Sequence, residues 1–335
     1  MTCPSPRLTL GVTAESDIEG GHLLCPRGEL QWGRWDIQWN PPRGSRCDYW
    51  IVYAASRDRD RLLCAPENTL FIAGEPPSKK IYPKAFYGQF YRVVSTRAED
   101  PHPRVTASAP GLSWHVGLDR EKKEYRYGYD YLSALRPTAK LNQVSVVCSN
   151  LTTTEGQRRR LALLAHLKEA LGDQLVHFGR GFTPITDKLD AIAPYRYHLV
   201  LENSCSPHYW TEKLCDAYLG WAHPVYLGCP NLTDYFPATG FTPIQTEYPE
   251  KAVETLRALL ASPPQDPTSG VLAECRDMIL NRYNFFARLS GWADAFHVPT
   301  STPTELHITT HKAYRSFPRG LLYRLRSAPR RSSPL

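Results

Sequence analysis

Glu202-Asn203-Ser204 and, a few positions on, Tyr209-Trp210-Thr211-Glu212-Lys213 bring two carboxylates, an ammonium, a phenol and several short polar groups into one stretch. Such a set can hold an anion. The flanking sequence decides where it sits. Residues 195–201 are apolar and aromatic-rich, of strand length; 214–222 read as one short helix; 223–228 give a second buried-strand pattern. The unit is β-turn-α-β, which puts the polar turn at the carboxyl edge of a parallel sheet, where open α/β sheets bind nucleotides. Thr211 suits an N-cap, and Lys213 in the first turn opposes the helix dipole, so an anion nearby would relieve it. The arrangement predicts a diphosphate site.

The run from Leu201-Glu-Asn-Ser204 through His208-Tyr-Trp-Thr-Glu-Lys213 to Pro224-Val-Tyr-Leu-Gly228 resembles the donor-binding signature of the α-1,3/4-fucosyltransferases, glycosyltransferase family 10, in its bacterial form. The likeness covers residues 143–246, roughly a third of the chain. Leu201 stands where the family has Phe, a packing change, and His208 where it has Asp, which alters the charge beside the donor. The string Asn281-Arg-Tyr-Asn-Phe-Phe286 is similar to the family's closing segment. The resemblance implies an α/β fold of the GT-B type, two Rossmann-like domains facing across a cleft. It implies GDP-fucose as donor on the C-terminal domain, a glycan acceptor mainly on the N-terminal one, and transfer with inversion.

Site residues follow from the same resemblance. Glu212 would accept ribose hydroxyls, while Asn203, Val147 and Ser149 would help hold the nucleotide. Arg160 would reach the β-phosphate, and Lys213 and the Tyr209 hydroxyl would steady the departing diphosphate. No metal is then obligatory, because fixed cations replace it. Arg158 and Arg159 share the run with Arg160 and stay open, although the spacing of Leu163, Leu164 and Leu167 favours Arg160. The base would be Glu75 in Ala-Gly-Glu-Pro-Pro-Ser, where glycine followed by an acid at a strand end lets a ligand approach a carboxylate. A surface Glu in a Pro turn is the plainer reading, and Glu67 a weaker candidate.

At 335 residues and 42% hydrophobic content the chain can build two α/β cores. The expected division is an acceptor domain over 1–139, a donor domain over 140–295 and a basic tail over 296–335, with the hinge near 136–140. No apolar run is long enough to span a bilayer and no charged-then-apolar leader opens the sequence, so a cytoplasmic location is expected. The nine cysteines show no Cys-x-x-Cys spacing and read as free, mostly buried thiols. From His311 on, Lys312, Arg315, Arg319, Arg324, Arg326, Arg330 and Arg331 face no acid, so the tail holds the whole net charge of +7. That is not the spread basicity of a nucleic-acid binder. With Tyr314, Phe317, Leu321, Leu322, Tyr323 and Leu325 between the cations, the tail suits adsorption to an anionic inner-membrane surface, against plain disorder.

Buried strands are expected over 7–13, 48–54, 69–74 and 89–95 in the first part and over 143–148 and 174–178 in the second. Trp32, Trp35 and Trp39 read as core before sugar platform. Asp58 and Asp60 form a D-x-D after a strand, the pattern that holds a diphosphate-bound cation, but three flanking arginines make a solvated ion-paired loop the better reading. His115 is either an acceptor-side group or a core histidine, the second preferred. Gly179-Arg180-Gly181 reads as a turn fit for backbone approach to a ligand, and 271–289 as one long helix. Two other functions fit the pattern: a transferase of the same fold with another GDP-sugar, and a nucleotide-sugar-binding protein without catalysis. The acceptor, N-acetyllactosamine-like or a surface polysaccharide, has no recognisable code.

Overall fold

The computed structural model describes residues 6–15, 17, 19–57, 59–76, 78–262, 270–315 and 319. They divide into two α/β units, and the chain passes between them repeatedly. The first unit draws on residues 1–17, 30–110 and 289–335, the second on 18–29 and 111–288.

The first unit is built on strands β1 (Leu8–Ala14), β2 (Gln31–Trp32), β3 (Trp35–Trp39), β4 (Tyr49–Tyr53), β5 (Thr69–Ile72), β6 (Arg92–Ser95) and β7 (Val105–Ala107), in the order β2-β3-β1-β4-β5-β6-β7. All pairs are parallel except the β2–β3 edge ribbon. The central strands Tyr-Trp-Ile-Val-Tyr and Thr-Leu-Phe-Ile are covered on both faces, which is what a parallel sheet demands of its strands. The crossover from β5 to β6 has one four-residue helix. Aromatic packing does the work of a longer one: Tyr82, Phe86, Tyr87 and Phe90 ring Phe71 with centroids 4.8–5.8 Å away. Trp35 is fully buried, in keeping with the core reading of that tryptophan.

The second unit has strands β8 (Leu141–Val147), β9 (Leu175–Phe178), β10 (Tyr195–Leu201), β11 (His223–Leu227) and β12 (Thr242–Pro243), all parallel, in the order β9-β8-β10-β11-β12. Helices α1 (Glu155–Leu171), α2 (Lys188–Ile192), α3 (Glu212–Leu219) and α4 (Pro249–Ala261) connect or follow them. In a doubly wound sheet of this order the connections leave in opposite directions from β8 and β10, and a crevice opens at their carboxyl ends. Those ends are Val147–Ser149 and Leu201–Asn203.

The expected domain boundaries shift. Residues 111–139 belong with the second unit because acids deep in it bind their backbone: Asp216 accepts the His115 and Val116 N–H groups, and Asp187 that of Gly117. The expected tail begins later than 296, since Thr304–Ile308 pairs antiparallel with Asp60–Cys64 in the first unit. Lys312, counted among the tail cations, is bonded to Glu15 at 2.5 Å. The membrane expectation rests mainly on residues after 315, which apart from Arg319 lie outside the described residues. No described helix is long and apolar enough to cross a membrane. The single helix expected over 271–289 is a helix at Val271–Asp277, a π-turn at Met278–Arg282 and a new helix from Phe285. Asn284 starts the new helix by accepting the Phe286 N–H at 2.9 Å.

Candidate functional site

Helix α1 brings the first cation to the sheet edge. Thr154 and Gln157 form a reciprocal capping box at its start. Leu163, Leu164, Leu167 and Leu171 then form the buried stripe, and Arg160 falls on the same face, three residues before Leu163. Period alone thus separates the three arginines. Arg160 is 6% exposed and donates Nη1 to the Leu201 carbonyl at 3.1 Å, while its Nε–H has no partner among the described residues. Arg158 and Arg159 lie exposed and paired with Glu155.

The turn after β10 supplies the rest. Glu202 is 2% exposed. Its Oε1 accepts from the Thr211 amide at 2.8 Å and hydroxyl at 2.9 Å, and its Oε2 from Lys213 Nζ at 3.3 Å. Lys213 Nζ also bonds Thr211 Oγ1 at 2.9 Å and Glu212 Oε1 at 3.0 Å. Burial works against all three charges, yet Glu202 and Glu212 raise the Lys213 pKa, and Lys213, His115 and Lys188 hold the Glu212 carboxyl well below its usual range. Glu202 differs: burial raises its pKa against the pull of Lys213. The anion that offsets Lys213 in the first turn of α3 is therefore the protein's own carboxylate, not only an incoming ligand as the dipole argument suggests.

Close packing fixes the loops that carry these groups. A Cβ at Gly156 would stand 2.2 Å from the Asn203 carbonyl oxygen, and one at Gly228 would stand 2.5 Å from Glu202 Cγ. Only glycine leaves room at either point. Gly179 and Gly181 serve the same end: their Cα atoms abut the Cys148 carbonyl and the Asn150 side chain, so this turn approaches the protein's own strand end where a ligand was expected.

Of the residues singled out from the sequence, Val147 and Ser149 lie half-buried at the end of β8, Asn203 is exposed, Tyr209 is buried near Lys213, and Arg160, Glu212 and Lys213 gather around that same edge. Burial pushes the Cys148 thiol up while Arg160 and Lys213 pull it down, which puts both cations beside the β8 terminus. Glu75 lies in the first unit, three residues past Ile72 at the end of β5, with its carboxylate bonded to Lys79 Nζ at 2.6 Å. His208, in place of the family's Asp, has φ of 61° and is held by the Asn231 side chain and the Tyr235 hydroxyl. Asp60 is fully buried against Arg57 Nε at 2.7 Å, which leaves it no open coordination face, and Asp58 lies outside the described residues.

Several groups escaped the sequence reading. Glu202 was read as part of the polar run without a partner, and its pairing with Lys213 needed the helix start to fold back. Asp216, Lys188 and His115 form a second polar knot: Lys188 Nζ bonds Asp216 Oδ2 at 2.5 Å, and His115 Nδ1 lies 3.7 Å from Glu212 Oε1. His115 is half-buried rather than core, and its ring lies beside Glu212 at the second unit's site. A neutral-pH imidazole is expected there, since burial, with Lys188 adding to it, pushes its pKa down to about 4.

The second unit is thus a doubly wound sheet whose switch point, the place where such sheets take their ligands, carries buried cations, carboxylates and glycine-made close approaches. Residues 137–264 match the model of the C-terminal domain of glycosyltransferase family 10 (fucosyltransferase), so this part of the chain carries that family's domain. Over 132 residues, 37% of this chain, it is 33% identical to 3-galactosyl-N-acetylglucosaminide 4-alpha-L-fucosyltransferase of Bos taurus. Over 79 residues, 23% of the chain, it is 33% identical to a fucosyltransferase-like protein of Arabidopsis thaliana. The matches span 34% of the bovine and 15% of the plant protein. Among solved structures, an alpha1,3-fucosyltransferase with GDP-fucose aligns over 90% of this chain and 93% of that one, at 14% identity and a TM-score of 0.48.

Proposed function

We propose that the protein is a GDP-fucose-dependent fucosyltransferase that inverts the anomeric centre and transfers fucose to a hydroxyl of a glycan. The observation that carries this reading is a coincidence of place. The two strand ends where the second sheet's crevice opens, Val147–Ser149 and Leu201–Asn203, fall inside the segment that matches the fucosyltransferase family's domain.

In this reading the bond from the sugar C1 to the diphosphate oxygen breaks as a bond from C1 to the acceptor oxygen forms. Negative charge grows on the diphosphate, and Arg160, with its spare Nε–H, and Lys213 stabilise it, aided by the Tyr209 hydroxyl. Glu212 accepts ribose hydroxyls, and Asn203, Val147 and Ser149 bound the nucleotide. Glu75 takes the acceptor proton, the hydroxyl replacing Lys79 as its partner. Because the fixed cations do the work of an ion, no metal is obligatory.

The test is transfer from GDP-fucose to a panel of glycans, with GDP release and product linkage both read, in the presence and absence of EDTA. Product with α-linked fucose that forms equally in EDTA supports the reading. Turnover of another GDP-sugar in preference would assign a different donor, and activity abolished by EDTA would overturn the metal-free mechanism.

A further inference from the structure

We propose that Arg120 is a donor-binding residue, resting on His115 in the free protein and passing to the diphosphate when nucleotide binds. The inference rests on the reading of the second unit as a GDP-sugar site and adds a group that the family signature does not include.

The segment that carries it is anchored on the site helix. Asp216 lies one turn beyond Glu212 on α3, and its Oδ1 accepts the His115 amide at 2.6 Å and the Val116 amide at 3.0 Å. Its other oxygen is tied to Lys188. The His115 ring is thereby set beside Glu212, with Nδ1 3.7 Å from Oε1. Arg120 Nη2 meets that same Nδ1 at 2.9 Å. A guanidinium can only donate, so Nδ1 accepts, the ring proton sits on Nε2, and the imidazole is neutral.

Charge accounting shows why this matters. Glu212, held ionised, and the buried Glu202 share Lys213, so its charge is partly offset before a ligand arrives. Arg160 and this partly offset Lys213 are then set against a diphosphate that carries more than one negative charge, so a further cation would add to the hold. Arg120 differs from the arginines Arg57, Arg126, Arg158 and Arg159, which are bonded to carboxylates. Arg120 donates to a neutral ring instead, is exposed, and stands within a side chain's reach of Glu212. A bond from a cation to a neutral acceptor is weaker than one to a phosphate oxygen, so the incoming anion wins the exchange.

Isothermal titration of the full chain with GDP, GMP and guanosine tests this on the wild type, Arg120→Gln and Arg120→Lys. Arg120→Gln is expected to weaken GDP about tenfold, GMP less, and guanosine not at all, with Arg120→Lys in between. Unchanged GDP affinity in Arg120→Gln, or an equal loss for guanosine, overturns the role of Arg120 and leaves the donor reading intact. A wild type that binds no GDP overturns the donor reading, and the inference with it.

Discussion

The carboxyl edges of the two sheets are built by opposite means. In the second unit Glu202, Lys213, Glu212, Lys188 and Asp216 are buried or nearly so and bonded to one another, and glycines clear the way for them. In the first unit, apart from the buried acids Asp60 and Asp100, the charges just past the strand ends sit nearer water: Glu75, with 32% of its side chain exposed, pairs with Lys79 at 68%, and Glu15 pairs with Lys312. Buried ion pairs are costly to break, because the partner left behind is stranded without solvent, whereas exposed pairs contribute little. The residues proposed to hold the donor at the second edge are therefore ones the fold also depends on, whereas the proposed base at the first is not.

Acid gives the widest test of that contrast. His115 and His223 are pushed down to about 4 and His198 to about 3, all three chiefly by burial in the second unit, against His311 at about 4 in the first. Their unfolded value is near 6.5. A ring whose folded pKa lies below its unfolded one takes up its proton more readily in the unfolded chain, so stability is complete above about pH 6.5 and falls toward pH 4, by up to about 1.4 kcal/mol per pH unit for each ring. Hydrogen exchange resolved by unit should show the second unit losing protection before the first between these limits. Equal loss in both would end the idea that burial of titratable groups is concentrated in the second.

Lys213→Ala comes next. It leaves Glu202 buried beside Glu212 without their shared ammonium, and unfolding in denaturant should register a loss of about 3–5 kcal/mol along with lost transfer. Glu75→Gln should behave otherwise. Its effect belongs to the chemical step, a fall in turnover of about a hundredfold or more, with the melting temperature and GDP-fucose affinity held. Normal turnover in that variant would move the base elsewhere in the first unit.

What the sequence disclosed follows the same divide. The strand-turn-helix-strand order around Glu202 and Lys213, the Thr211 cap and the burial of Arg160 rather than Arg158 or Arg159 all follow from local spacing, which periodicity reads directly. The enlistment of residues 111–120 into the second unit does not. It depends on Asp216 and Asp187, acids on or just before helices that read locally as solvent-facing or capping groups, turning inward to bind a distant backbone. The break at Met278–Arg282 was hidden because the apolar pattern runs on through it, although Asn284 ahead of Phe285 is a helix-start residue that could have marked it. At the first edge, Ala-Gly-Glu-Pro-Pro is too short a string to separate a base from a surface carboxylate, and the exposed Lys79 pair leaves the matter to experiment.

The smallest predicted effect divides the site from its surroundings. Arg158 is two residues from Arg160 yet faces solvent, its guanidinium held by Glu155 at 2.9 Å and the Thr152 carbonyl at 2.9 Å. Such an exposed pair is worth at most about 1 kcal/mol, so Arg158→Ala should change stability by no more than about 0.5 kcal/mol and leave GDP affinity within about twofold, since no bond to a ligand is lost. Arg160→Ala removes a charge-assisted donor from the crevice, and titration should show GDP weakened by about tenfold or more. If the two variants weaken GDP alike, the diphosphate is held by the solvent face of α1, and burial at the strand ends is a feature of folding alone.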